Sequence, residues 1–77
     1  METERFDKAK DIVDYIAFMI TEFSLKHGLS MKQSFDYMYN YGAIEFLDKH
    51  YEVEHCENPA ITLDTIQRIC RRSGGEL

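Results

Sequence analysis

Tyr41-Gly42-Ala43-Ile44-Glu45-Phe46-Leu47-Asp48-Lys49-His50-Tyr51, leading on to His55, is the stretch whose reading decides the fold. Asn40-Tyr41-Gly42 breaks the chain and turns it. Ile44, Leu47 and Tyr51 then recur on one helical face, with Phe46 to one side. Glu45 and Lys49 stand four apart, a weak surface ion pair on a short helix over 43–50. After Tyr51 the helical period stops. Tyr51-Glu52-Val53-Glu54-His55 alternates like a strand, but a lone strand has no ladder to join, so 51–61 reads as an irregular connection.

Working outward, residues 31–40 form the preceding helix. Ser30 and Gln33 make an S-x-x-Q capping box, and Phe35, Met38 and Tyr39 its apolar edge, with Tyr37 round the side. Gly28 stops the helix before that, at the position where a left-handed residue closes a helix end. This first helix covers 4–26. Phe6, Ala9, Val13, Ile16, Ile20 and Phe23 recur at steps of three and four, and Ile12, Tyr15 and Met19 make a second stripe, with Phe18 further round. A helix apolar on more than one face is covered on several sides or takes a partner. Glu4, Asp7 and Asp11 near its start and Lys26 at its end suit its dipole. On the far side, Asn58-Pro59 signals a turn and Thr62 is the expected N-cap of a last helix over 62–72. Leu63, Ile66, Ile69 and Cys70 form its apolar edge, and 73–77 are expected to be a disordered tail. The expectation is one small all-α domain over 1–77, an array of about four helices.

Composition narrows the function. Seventy-seven residues leave no room for a second domain. A chain this short buries only about 60% of its unfolded surface, so a partner is a common supplement. Fourteen acids against nine bases give a net charge of −5, which disfavours nonspecific nucleic-acid binding. The longest apolar run, Tyr15 to Ile20, falls far short of the ~20 residues a membrane helix needs. The chain opens Met1-Glu2-Thr3-Glu4, without a basic-then-apolar leader, and the expected location is the cytoplasm, with Cys56 and Cys70 as free thiols.

His50, His55, Cys56 and Cys70 are zinc-ligand types, but no C-x-x-C pair is present and the two cysteines stand fourteen residues apart, so no metal or cofactor is expected. Cys56 beside His55 resembles a nucleophile pair only in sequence, since neighbours in an extended segment point apart. Nucleophile elbow, phosphate-binding glycine loop and paired metal motif are all missing, and the chain is read as no enzyme. Tyr15, Tyr37, Tyr39 and Tyr41, with Phe18, are candidates for a partner surface, because tyrosine buries area while keeping a hydrogen bond. The helix pair 31–40 and 43–50 resembles a helix-turn-helix, but Glu45, Asp48 and Lys49 suit a major groove poorly. The one basic patch is Arg68, Arg71 and Arg72.

Tyr41-Gly42-Ala43-Ile44-Glu45-Phe46-Leu47, then Tyr51, His55, Ile61, Asp64 and Ile66, resemble a family of short bacterial proteins of unknown function. Its pattern is Y-G-x-I-[DE]-[FY]-[IL] followed by Y-x-x-x-H-T and a final short helix, matched over about residues 10–70. The chain departs at Glu54, where the family has leucine, and at Cys56, where it has threonine. The resemblance implies a small helical domain. Members are often encoded beside proteins resembling ADP-ribosyltransferase toxins, which implies an antitoxin or accessory role. Of the shared residues, Gly42, Ile44, Phe46, Leu47, Tyr51, His55 and Ile66 read as structural anchors: Gly42 for its backbone, His55 for a hydrogen bond to backbone, the rest as core. The expectation is therefore a non-catalytic module that binds another protein, a toxin-like enzyme by the resemblance, or itself as a homodimer. The alternatives are a DNA-binding regulator working through Arg68, Arg71 and Arg72, and a self-associating structural domain.

Overall fold

A 26-residue helix sets the long axis of the molecule. α1 spans Glu2–His27, and at 1.5 Å per residue it is about 39 Å long, against a longest molecular extent of 42 Å. The computed structural model describes the backbone of residues 2–77 and the side-chain surroundings of residues 8–77. The expected roles of Glu4, Phe6 and Asp7 lie outside the described residues.

Gly28, at φ 67°, ends α1, and the chain doubles back into α2, Met31–Asn40. Ser30 caps α2 with both halves of the expected box: the Gln33 amide donates to the Ser30 hydroxyl at 3.0 Å, and the Ser30 amide to the Gln33 side chain at 2.9 Å. Gly42, at φ 87°, then redirects the chain into α3, Ala43–Lys49. This left-handed conformation is one that a side chain disfavours. α5, Pro59–Arg72, closes the array and contacts all three of these helices. Among the described residues there are five helices, four of them of seven residues or more, and no strand. The all-α reading holds.

The 51–61 connection is more ordered than its alternation implies. Tyr51–Glu54 make one helical turn, α4, because the Glu54 and His55 amides donate back to the carbonyls of His50 and Tyr51 at 2.9 and 3.0 Å. With no neighbouring strand, local hydrogen bonds satisfy the backbone instead. α5 also starts three residues earlier than expected. Asn58, not Thr62, is its N-cap, accepting from the Ala60 amide at 2.9 Å, and Pro59 fills the first turn, where its missing amide costs nothing. Thr62 is instead fully buried, and its hydroxyl donates to Glu54 at 3.3 Å.

The core comprises Met19, Ile20 and Phe23 of α1, Met38 of α2, Ala43 and Leu47 of α3, and Leu63, Ile66 and Cys70 of α5. Burying a side chain such as Phe23 or Leu47 stabilises the fold by about 1.5–3 kcal/mol. On α1 the buried face lies between the two expected stripes. Ile12, Tyr15, Ile16 and Met19 turn inward, whereas Ala9 and Val13 are exposed. On α2 only Met38 of the expected edge is buried; Phe35 and Tyr39 face out, and Ser34 takes the inward place. Residues 73–77, expected to be a loose tail, turn back over α2. The Gly75 amide donates to the Cys70 carbonyl at 2.7 Å and the Leu77 amide to the Tyr37 hydroxyl at 2.9 Å.

Candidate protein-binding surface

Burial separates the aromatic candidates. Tyr15 packs edge-on to Tyr51 with ring centres 5.6 Å apart. Its hydroxyl is buried without a hydrogen-bond partner among the described residues; Thr62 lies close, but outside hydrogen-bonding geometry, and directs its own proton to Glu54. Burial pushes the Tyr15 pKa up. Tyr37 stacks on Phe23 at 5.7 Å and is half-buried under the tail. Tyr41 packs at 4.9 Å against Tyr37. These three are packing residues with polar tips. Phe18 and Tyr39 are the two candidates that stand out, at 45% and 64% exposed.

Tyr39 belongs to a larger feature. Met31, Phe35 and Tyr39 recur every four residues along one flank of α2, all exposed. The Phe35 and Tyr39 rings stack nearly parallel, 5.7 Å apart at 14°. At the end of this stripe, where Gly42 turns α2 into α3, lies an open groove of about 520 Å³. Tyr39 and Asn40 form one wall, and Ile44, Glu45 and Asp48 of α3 the other, with Gly42 at the bend. Glu45 pairs with Lys49 at 3.5 Å. Phe18 and Leu25 make a second, smaller apolar pair two turns apart on the outer side of α1.

The remaining anchors divide as well. Leu47 and Ile66 are fully buried, while Ile44, Phe46 and Tyr51 are half-buried. His55 is exposed; its Nδ1 lies 2.6 Å from the Tyr51 carbonyl, so Nδ1 carries the proton and donates, and its ring stacks flat on Tyr51 at 4.2 Å. This links His55 to the start of its own helical turn. The chain turns there, and Cys56 Sγ lies 3.7 Å from His55 Nε2. The pair is exposed in the turn that follows α4, away from the groove. Among the described residues no three His, Cys, Asp or Glu side chains converge to hold a metal ion. Cys70 is buried, and burial raises its thiol pKa to about 11, so it stays protonated. Arg68, Arg71 and Arg72 are exposed at the end of α5, and Arg71 Nε donates to the Leu77 carbonyl at 3.0 Å, turning part of the patch inward to the tail. No helix among the described residues is long and apolar enough to cross a membrane.

With the helical array and its exposed edge in view, comparison places the chain. The model of a family described as protein of unknown function, DUF3791, matches residues 14–73. The chain belongs to the DUF3791 family. No curated protein and no solved structure is similar to it at a significant level. The DUF3791 match takes in the second half of α1, the Gly42 corner and all of α5, and so covers every core residue. The α2 stripe also falls within it. Its i, i+4, i+8 spacing is visible in the sequence, but that spacing equally describes a helix edge packed in a core.

Proposed function

We propose that this DUF3791 protein is a non-catalytic protein-binding module, and that the outer flank of α2 with the Gly42 corner is its contact surface. The observation that carries this reading is the Phe35–Tyr39 pair: two large aromatics stacked on each other, exposed, and leading into a groove. A monomer gains little by holding such rings in water, whereas aromatics at the centre of a contact dominate binding energy. The partner class follows from the family resemblance: a toxin-like enzyme encoded nearby, for which this chain is an antitoxin or accessory subunit in the cytoplasm. Inhibition would then come from covering a site on that enzyme.

The test is affinity purification from the native host with the wild-type chain and with Tyr39→Asp and Phe18→Asp variants, each first checked for a native thermal transition. A stoichiometric neighbour-encoded partner, lost with Tyr39→Asp and kept with Phe18→Asp, is the expected result. Retention with Tyr39→Asp and loss with Phe18→Asp would move the surface to α1. Recovery of the bait alone as a stable oligomer would replace the reading by self-association.

A further inference from the structure

We propose that the groove at the Gly42 corner receives an arginine side chain from an apolar-flanked segment of the partner protein; this rests on the protein-binding reading above. The lining combines two carboxylates, a side-chain amide and an aromatic ring, a set complementary to a planar cation. Glu45 and Asp48 stand three residues apart on α3, so their carboxylates share one wall. Lys49 partly neutralises Glu45; Asp48 has no cation within ion-pair distance among the described residues. Across the groove, Asn40 brings a side-chain amide, whose oxygen is an available acceptor, and Tyr39 an exposed ring. Phe35, stacked on Tyr39, holds that ring in place. Ile44 is half-buried and offers an apolar contact. Gly42 leaves the bend open: nothing lies within 4 Å of where a Cβ would stand.

Two carboxylates, an amide oxygen and an aromatic face together match a guanidinium, which accepts stacking on one side and donates in a fixed fork on its edge. An ammonium matches less well, because it is more strongly hydrated and has no plane to stack. An anion is repelled. The apolar flanks follow from the Met31–Phe35–Tyr39 stripe, which runs away from the groove along α2 and needs apolar neighbours of the arginine to cover it.

The test is a titration of isotopically labelled protein, followed by its amide resonances, with a capped Leu-Arg-Leu-Arg-Leu peptide. The same peptide with lysine, and with glutamine, in place of arginine serves for comparison. Saturable shifts centred on Tyr39, Asn40, Gly42, Ile44, Glu45 and Asp48 are expected with arginine, several-fold weaker with lysine and absent with glutamine. Asp48→Asn should weaken binding about two- to five-fold, as for an exposed ion pair, and high salt should weaken it further. Equal binding of the glutamine peptide, shifts centred on Phe18 and Leu25, or no saturable shift at millimolar peptide would overturn the proposal. Groove resonances that move on dilution without peptide would overturn it too, since a second copy would be the occupant. A native partner lost with Tyr39→Asp but unaffected by Asp48→Asn and Glu45→Gln would sink the arginine pocket and leave the binding module standing. A partner indifferent to Tyr39→Asp would sink both.

Discussion

The Ser24 and Ser34 hydroxyls share a 2.7 Å hydrogen bond across the buried face between α1 and α2. Ser24 also donates to the Ile20 carbonyl at 2.8 Å. The carbonyl can only accept, so the inter-helix bond takes its proton from Ser34. Ser34 is fully buried and Ser24 nearly so. The pair is a polar pin in an otherwise apolar seam. It lets two helices approach at small residues while leaving no hydroxyl unsatisfied.

Ser34→Ala should therefore cost about 1 kcal/mol, lowering the thermal midpoint by about 4–8 °C for a chain of this size. Ser24 keeps its carbonyl bond in that variant, so the cost stays modest. The Ser24→Ala/Ser34→Ala pair should fall short of the sum of the two single losses, because both singles break one shared bond. Circular dichroism melts of the four proteins check this. Strict additivity would mean that the hydroxyls do not couple.

Gly42 is a backbone requirement and not a packing one. Its φ is 87°, and a methyl group placed there would meet nothing within 4 Å. Gly42→Ala should destabilise by about 1–2 kcal/mol from the left-handed conformation alone. Gly42→Asn should cost less, since asparagine visits that region more readily, and Gly42→Val more. Denaturant midpoints in the order Gly, Asn, Ala, Val would support this origin; a ranking by side-chain volume alone would point to a clash instead.

His27 should make the fold sensitive to mild acid. It packs on Phe23 with ring centres 4.3 Å apart, and its Nε2 is buried without a partner among the described residues. Burial, with the Lys26 and Arg71 charges nearby, lowers its pKa below 6.5. The unfolded chain then takes up the proton more readily than the folded one. The stability tied to neutral His27 is present above pH 6.5 and declines as pH falls through the lowered folded value. Urea unfolding at neutral pH and in mild acid, for wild type and His27→Gln, isolates the effect. The wild type should lose more between the two conditions, and equal losses would remove His27 as the cause.

The two thiols should react at very different rates. Cys56 is exposed, while Cys70 is fully buried with its pKa raised to about 11. Only the thiolate attacks an aromatic disulfide reagent. One thiol per native chain should react quickly, at Cys56, and the second only after denaturation. Cys56→Ser should abolish the fast phase. A fast phase that survives this change would mean that the α5 seam opens readily.

The tail adds a fifth expectation. A Cβ at Gly75 would run into the Tyr37 hydroxyl and the Cys70 carbonyl. Gly75→Ala should release residues 73–77 from Tyr37 without unfolding the helices. The Leu77 amide, bonded to the Tyr37 hydroxyl, should then exchange with solvent faster while the Leu47 amide does not. Unchanged exchange at Leu77 would show that the tail finds another way to dock.

Local chemistry by itself determined the four longer helices and most of their ends, but not the single turn of α4. Ser30 and Gln33 specify a start, Gly28 and Gly42 specify the turns, and Leu63, Ile66 and Cys70 mark an inward edge, because capping bonds, positive φ and helical spacing act over a few residues. Asn58-Pro59 also encodes the start of α5, by cap and first-turn proline, more strongly than Thr62 does. Tertiary structure alone decided the rotation of α1, which is apolar on several faces, so that Met19 is buried and Val13 exposed. It also decided that Ser34 points inward while Phe35 and Tyr39 point out, and that the tail lies on Tyr37. A helix edge carries no label for core or partner. Which of its faces is covered depends on helices brought together from distant parts of the chain: α1 reaches Met31, whose sulfur lies 3.5 Å from the Ser24 hydroxyl, and leaves Phe35 and Tyr39 exposed.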